Sequence, residues 1–147
     1  MRGPFGNIHS EPLSNYSSLL LICQGTGIVP FISLLHSLLS NEESEQIIHL
    51  IFSVKSCDQI LLSQTLYDFC NYWNFKLKIY ISSPVGNNFR LFGPNKTFVN
   101  KKLGHKELED AIESNRKYIL CGSKEFMFCI RDYLLQFNVD KSDILRL

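Results

Sequence analysis

The chain has 147 residues, of which 45% are hydrophobic, and its 15 Lys and Arg residues nearly balance 14 Asp and Glu residues. This size and apolar content favour one compact domain rather than two. The formal net charge of +1 lacks the basic excess that nucleic-acid binding uses, and no acidic tail is present. We therefore expect a single globular domain without a nucleic-acid partner.

The cysteines and histidines indicate neither a disulfide framework nor a metal site. The cysteine count is odd and no C-x-x-C pair occurs, and none of the four histidines has the spacing of a metal motif. Reduced thiols are typical of a cytosol-like compartment. The five cysteines are Cys23, Cys57, Cys70, Cys121 and Cys129.

No stretch of the sequence reaches the roughly 18 apolar residues that span a bilayer. The most apolar helix candidate, residues 28–39, is interrupted by Ser33, His36 and Ser37, and the N-terminus has no apolar core typical of a signal peptide. We expect a cytoplasmic protein without a transmembrane segment, with any membrane association coming from parts outside this chain.

The first half of the chain predicts two buried strands, each followed by a helix. Residues 1–18 are rich in Pro, Gly, Ser and Asn and predict an irregular lead-in or linker. The continuous apolar runs at 19–23 and 47–54 predict strands buried on both faces. Helices are predicted at 28–40, with Pro30 in the first turn, and at 58–74, with Asp58 as a cap.

The second half continues the alternation of strands and helices. Strands are predicted at 75–82, 118–121 and 143–147, helices at 104–115 and 124–136, and a loop at 84–94. This order predicts an α/β fold, with a parallel sheet covered by helices on both faces. Residues 19–147 would form that domain.

A glycine-containing turn follows the first predicted strand, and it comprises Gly25, Thr26 and Gly27, with Pro30 just inside the next helix. In open parallel sheets, ligands bind beyond the carboxyl ends of the strands. Glycines allow close approach to the backbone, and a helix start attracts phosphate. The alternative is a tight turn that binds no ligand. It stays open because G-x-G alone is a weak signal, and because Pro30 stands where the dinucleotide-binding fingerprint G-x-G-x-x-G has its third glycine.

A second small-residue turn follows the strand at 118–121. It contains Cys121, Gly122 and Ser123, and Phe126 lies in the helix after it. Cys121 would reach the same crevice as the first turn, although a buried thiol often serves only as a small hydrophobic residue. No triphosphatase loop and no nucleophile elbow occur in the sequence.

Three motifs in one order resemble a known family. They are Arg2-Gly3-Pro4-Phe5-Gly6, the Gly-Thr-Gly-Ile-Val-Pro turn at 25–30, and the Cys-Gly-Ser turn at 121–123. With residues 49–53 and 60–62, they are similar to the NADH-cytochrome b5 reductase-like branch of the ferredoxin-NADP-reductase superfamily. The resemblance covers the NAD-binding half of such enzymes.

The resemblance implies roles for these residues. Gly25, Thr26 and Gly27 would hold the pyrophosphate and the nicotinamide ribose, beside Pro30. Thr26 and Cys121 would be the catalytic residues beside the nicotinamide, with Gly122, Ser123 and Phe126 nearby. Gly3, Pro4 and Gly6 would close the flavin domain. NADH would pass a hydride to FAD, which would deliver single electrons to cytochrome b5 or a similar acceptor.

Two departures from the family pattern limit these implications. In the family, a flavin-binding barrel with an R-x-Y-[ST] signature precedes this domain, whereas here only 18 residues precede the first predicted strand. The family also usually ends in an aromatic residue, whereas this sequence ends Leu145-Arg146-Leu147. We expect that the chain alone neither holds FAD nor turns over, and a flavin spectrum after FAD titration would refute this. The alternative function is a truncated, non-catalytic nucleotide-binding or interaction domain.

The sequence after the second strand bears on cofactor preference. NADPH-preferring relatives carry Ser-Arg there, and the arginine pairs with the 2′-phosphate. Here the residues are Ser53, Val54 and Lys55. Lys55 offers one positive charge but lacks the paired N–H donors of an arginine. Asp58, which follows shortly after, would repel a phosphate. The sequence therefore predicts NADH in preference to NADPH.

Overall fold

The computed structural model describes residues 16–40, 45–56, 63–83 and 96–147. These residues form one sheet of six strands in the order β4-β3-β2-β1-β5-β6, and all neighbouring strands are parallel. The α/β prediction is confirmed. The strands are β1 (Ser18–Gln24), β2 (Ile47–Val54), β3 (Phe75–Ile81), β4 (Lys96–Val99), β5 (Arg116–Cys121) and β6 (Ile144–Arg146).

Helices cover both faces of the sheet, as predicted. In the described ranges they are α1 (Ile28–Leu39), α2 (Ser63–Phe69), α3 (His105–Glu109) and α4 (Lys124–Gln136), with 3-10 turns at Gly25–Gly27 and Lys141–Asp143. One buried cluster joins Leu19 and Leu21 of β1 to α1 and α2. The other joins Leu20 and Ile22 to α3 and α4. Because β1 is buried on both faces, its apolar run is continuous.

The second helix is shorter than predicted. It ends at Phe69 rather than near residue 74, and residues 70–74 form turns in which the Tyr72 N–H donates to the Phe69 carbonyl oxygen at 3.0 Å. The buried Asn74 side chain donates to the Gln46 carbonyl oxygen at 2.7 Å, just before β2. This tertiary hydrogen bond turns the chain towards β3. The predicted cap Asp58 lies outside the described residues.

The third helix is also shorter than predicted, ending at Glu109 instead of near residue 115. The Ala111 carbonyl oxygen would accept a bond from Asn115 in a longer helix, but it accepts one from Arg116 Nη1 at 2.7 Å. The side chain of a buried arginine therefore replaces the next helical turn.

Sequence reasoning missed strand β4, which pairs Lys96–Val99 with β3 at the edge of the sheet. Its four residues, Lys-Thr-Phe-Val, are too short to show a periodic pattern, and their place is set by pairing with β3. The loop predicted at 84–94 lies outside the described residues.

The described cysteines Cys23, Cys70, Cys121 and Cys129 are free thiols. Cys57 lies outside the described part of the chain. No helix in the described ranges has both the length and the apolar character needed to cross a membrane. The cytoplasmic location stays a prediction.

His49 should make the stability of the domain depend on pH. Its half-buried ring lies on β2, where desolvation, followed by the charges of Arg116, Lys76 and Lys78, lowers its pKa from 6.5 to about 4. Between these values the unfolded chain binds a proton that the folded chain does not, so stability falls as pH falls. After a discount for partial exposure, we expect His49 to account for a loss of about 1–2 kcal/mol.

Replacing His49 with glutamine should flatten this part of the pH profile. Urea unfolding at pH 7.5, 6 and 4.5 would measure it, with His105→Gln as the matched control because His105 is exposed on α3. A wild-type profile as flat as that of the His49→Gln variant would contradict the assignment.

Candidate functional site

The sheet has a switch in strand order between β1 and β5. From β1 the chain builds outward through β2, β3 and β4, and then crosses back to place β5 on the other side of β1. Cys23 and Cys121 are register partners at the carboxyl ends of these two strands. A crevice opens above such a switch point, and open α/β sheets bind their ligands there.

The two glycine-containing turns meet at this switch point. Gly27 is buried, and a Cβ atom added to it would lie 2.8 Å from the Cys121 carbonyl oxygen and 3.1 Å from the Gly122 nitrogen. Only a residue without a side chain allows this approach without displacement of the backbone. The sequence prediction that both turns reach one crevice agrees with this geometry.

The second turn has a backbone that favours glycine. Gly122 has a φ of +154°, and a Cβ there would lie 2.9 Å from the Phe126 ring. Ser123 caps α4, since its Oγ accepts a bond from the Phe126 N–H at 3.1 Å, and it lies 3.3 Å from Gln24 Oε1 at the end of β1. Phe126 therefore packs behind the turn and supports it.

A cavity of about 820 Å³ opens in front of these turns. Seven residues predicted from the motifs line it, whereas Phe126 is not among the lining residues and Gly3, Pro4 and Gly6 lie outside the described residues. The seven are Gly25, Thr26, Gly27, Pro30, Cys121, Gly122 and Ser123. The other described lining residues are Gln24, Ser53, Val54, Lys55, Ser82 and Lys102.

Sequence reasoning assigned no role to three of these lining residues, namely Gln24, Ser82 and Lys102. Gln24 ends β1 and Ser82 directly follows β3, so a search of every residue at a strand's carboxyl end would have found both. Lys102 comes three residues after β4, a strand that the sequence did not predict. It could not be placed without the fold.

The cavity is suited to an anionic ligand. Two lysines, Lys55 and Lys102, are among its described lining residues, and none of those residues is acidic. Helix α1 begins at its floor with Gly27 as N-cap, where no described side chain caps the helix. The first-turn N–H groups and the helix dipole there favour a phosphate or pyrophosphate.

Cys121 should be a slowly reacting thiol. Burial raises its pKa, an effect that the backbone N–H of Gly122 partly opposes. Because the thiolate is the reactive form, we expect iodoacetamide at pH 7.5 to modify exposed Cys129 at least about tenfold faster, with the Cys121 rate increasing as pH is raised. Peptide mass spectrometry over time would measure both rates, and equal rates would contradict the assignment.

The described residues contain no group of three or more His, Cys, Asp or Glu side chains that could hold a metal ion. The site therefore consists of backbone turns, hydroxyl groups, a thiol and lysines around a helix N-terminus. Together with the switch point, these features are typical of an α/β domain that binds a phosphate-containing ligand.

Comparison with known proteins identifies the family. Residues 21–132 match the oxidoreductase NAD-binding domain family, so the chain belongs to that family. It is 27% identical over 128 residues to the human NADH-cytochrome b5 reductase-like protein, covering 85% of this chain and 40% of the human one. It is 31% identical over 116 residues to NADH-cytochrome b5 reductase 2-B of Vanderwaltozyma polyspora, covering 78% and 38% respectively.

Solved structures show the same fold. The cytochrome b5 reductase domain of Ulva prolifera nitrate reductase aligns with a TM-score of 0.73 at 17% identity, over 90% of this chain and 50% of that one. The NAD+ form of the CS-b5R domains of human Ncb5or gives 0.73 at 19% identity, over 91% and 37%. The resemblance to the NAD-binding half of these reductases is confirmed, and the chain spans about two fifths of the curated relatives.

Proposed function

We propose that this chain binds NADH and presents its nicotinamide to FAD held by a separate flavin-binding domain, within a reductase that delivers single electrons to cytochrome b5 or a similar acceptor. The observation that carries the proposal is the contact between Gly27 and the Cys121 backbone. Because of this contact, the start of α1 and the Cys121 turn form one continuous surface in the crevice. A pyrophosphate would fit at the start of α1, and a nicotinamide would fit beside the Cys121 thiol.

The extent of the cavity supports a dinucleotide rather than a mononucleotide. Besides Lys102 after β4, its lining residues follow four adjacent strands, from Ser123 after β5, through Gly25 and Lys55, to Ser82 after β3. With neighbouring strands about 4.8 Å apart, this row is about 14 Å long. Two nucleosides joined by a pyrophosphate fit such a row, whereas a single nucleotide would leave part of it empty.

Each part of the row would have a distinct task. Gly25, with a φ of +54° and open space around its Cα, gives the pyrophosphate access to the backbone. The exposed hydroxyl of Thr26 would orient the nicotinamide ribose. Cys121 is held neutral by burial, so it gives an uncharged surface that excludes water from the nicotinamide. The bound NADH supplies a hydride, and FAD converts the electron pair into single electrons.

A chimeric enzyme would test this function. The flavin-binding part of a related NADH-cytochrome b5 reductase, joined to this chain in place of its own NAD-binding half, should hold FAD and reduce cytochrome b5 with NADH. Gly27→Ala in the chimera should abolish most of that activity without releasing FAD, whereas Gly104→Ala should not, because Gly104 is not among the lining residues of the cavity.

The same chimera separates the proposal from its alternative. A folded, FAD-containing chimera that binds NADH but neither reduces its flavin nor cytochrome b5 would favour a non-catalytic nucleotide-binding domain. A folded, FAD-containing chimera that binds no NADH would contradict the proposed function and leave only an interaction domain.

A further inference from the structure

A second cavity, of about 420 Å³, lies between α3 and the strands β2, β3 and β4. Its described lining residues share no member with those of the cavity in front of the glycine turns. We infer that this second cavity binds an α-amino acid with an apolar side chain. The ligand's carboxylate would contact lysines of β3, and its ammonium group would contact Asp110 at the end of α3.

The strands supply the positive side of the second cavity. Lys76 of β3 is the register partner of His49 in β2, and Lys78, two residues further along β3, is the register partner of Thr97 in β4. Because side chains alternate between the two faces of a strand, both lysines extend from the same face. Neither lysine forms an ion pair with a residue in the described ranges, and Lys78 Nζ lies 5.4 Å from the centroid of the Tyr80 ring. The two cations are therefore available to an anionic group.

Helix α3 supplies a negative charge to the same cavity. Glu107 and Asp110 are both lining residues, but Glu107 is already paired with Lys101 at 3.1 Å. The Asp110 side chain has no ion pair or hydrogen bond with any residue that the structure describes. Its place is held by the fully buried Leu108 and by the Ala111 N–H, which donates to the Leu108 carbonyl oxygen at 2.9 Å. Asp110 is therefore a positioned carboxylate that is free to bind a cation.

His49 adds a polar group that the fold does not use. Its half-buried ring forms no hydrogen bond with a residue in the described part of the chain. Burial and the nearby positive charges lower its pKa to about 4, so the ring is neutral at pH 7. A neutral imidazole donates one hydrogen bond, and a ligand carboxylate beside Lys76 would accept it.

Opposite charges along one cavity favour a ligand that carries both. A simple anion would leave Asp110 unpaired and repelled by it, and a simple cation would be repelled by two lysines. Ile51, Tyr80 and Ala111 also line the cavity, which suits an apolar side chain. The volume of about 420 Å³ lies within the range of roughly 300–1,000 Å³ that small-molecule sites have. An apolar amino acid meets each of these conditions.

An amide NMR titration of the full chain with phenylalanine tests this inference. The signals of His49, Lys76 and Asp110 should shift and saturate with a dissociation constant below about 1 mM. Two analogues each lack one charge of the ligand: 3-phenylpropionate has no ammonium group, and phenylalanine amide has no carboxylate. Each analogue should bind at least about tenfold more weakly than phenylalanine, because a charge-assisted contact is lost.

Two substitutions remove one charge of the protein each. Asp110→Asn should weaken phenylalanine binding at least about fivefold without weakening that of 3-phenylpropionate, and Lys76→Gln should weaken phenylalanine binding to a similar degree without weakening that of phenylalanine amide. A merely structural role would not separate the ligands in this way. The matched controls are Glu109→Gln and Lys106→Gln, since both residues are exposed on α3 and are not lining residues.

Three outcomes would overturn the inference. They are no saturable binding up to about 10 mM phenylalanine, equal affinities for phenylalanine and its two analogues, and shifts confined to the turns around Gly25 and Cys121, where the ligand would occupy the other cavity. NADH affinity should stay within about twofold of the wild type in Asp110→Asn and Lys76→Gln, because the two cavities share no described lining residue. This inference and the proposed function can therefore fail independently.

Discussion

Replacing Gly27 with alanine is expected to weaken NADH binding at least about tenfold and to lower the free energy of unfolding by about 1–3 kcal/mol. The added methyl group would lie 2.8 Å from the Cys121 carbonyl oxygen and 2.9 Å from its carbon, so the two turns would have to separate. Gly27 has a φ of −62°, so the effect is steric and does not come from an unfavourable backbone conformation. Calorimetric NADH titration and urea unfolding would measure the two losses.

Gly104→Ala is the matched control for that substitution. A Cβ at Gly104 would approach only Glu107 Oε1, at 3.1 Å, which is the end of a side chain that can rotate away. We expect NADH affinity to stay within about twofold of the wild type. Equal NADH affinity in Gly27→Ala and in the wild type would show that the contact between the turns is not needed for binding.

Replacing Arg116 with leucine is expected to lower the free energy of unfolding by about 2–4 kcal/mol, the largest stability effect that we predict. Arg116 is 2% exposed, and its side chain donates to Ser18 Oγ at 2.9 Å and to the Ala111 carbonyl oxygen at 2.7 Å while pairing with Glu113. Leucine would leave the buried Ser18 hydroxyl and the part-buried Ala111 carbonyl oxygen without these bonds. Urea unfolding at pH 7.5 would measure the change.

Arg146→Leu is the corresponding control, because Arg146 is an exposed residue of β6. A surface substitution of this kind should change stability by no more than about 0.5 kcal/mol. A similar loss in both variants would indicate that arginine at position 116 has no special structural role.

Much of the fold could be predicted because its central strands are buried on both faces. The apolar runs of β1, β2 and β5 are visible in the sequence since parallel strands between two helical layers contain few polar residues. The lengths of α2 and α3 could not be predicted. They depend on tertiary hydrogen bonds from Asn74 and Arg116, which no local pattern contains.

The site, like the fold, has parts that could be predicted from the sequence and parts that could not. Its glycine turns were predictable, because a glycine between a strand and a helix marks a close approach of backbone or ligand. Of the two lysines that line the cavity in front of these turns, only one could be predicted from the sequence. Lys55 follows a strand that the sequence shows, but Lys102 reaches the cavity through the pairing of β4 with β3 and the bonds of Asn100. The boundary between the linker and the domain remains a prediction.

The most direct test of the account is an amide NMR titration of the isotope-labelled chain with NADH. The account predicts that the signals of Gly25, Thr26, Gly27, Cys121 and Gly122 shift together and saturate with a single dissociation constant, because both turns contact one ligand. Shifts confined to one turn or to another face of the sheet, or no shifts from a well-folded chain, would contradict it.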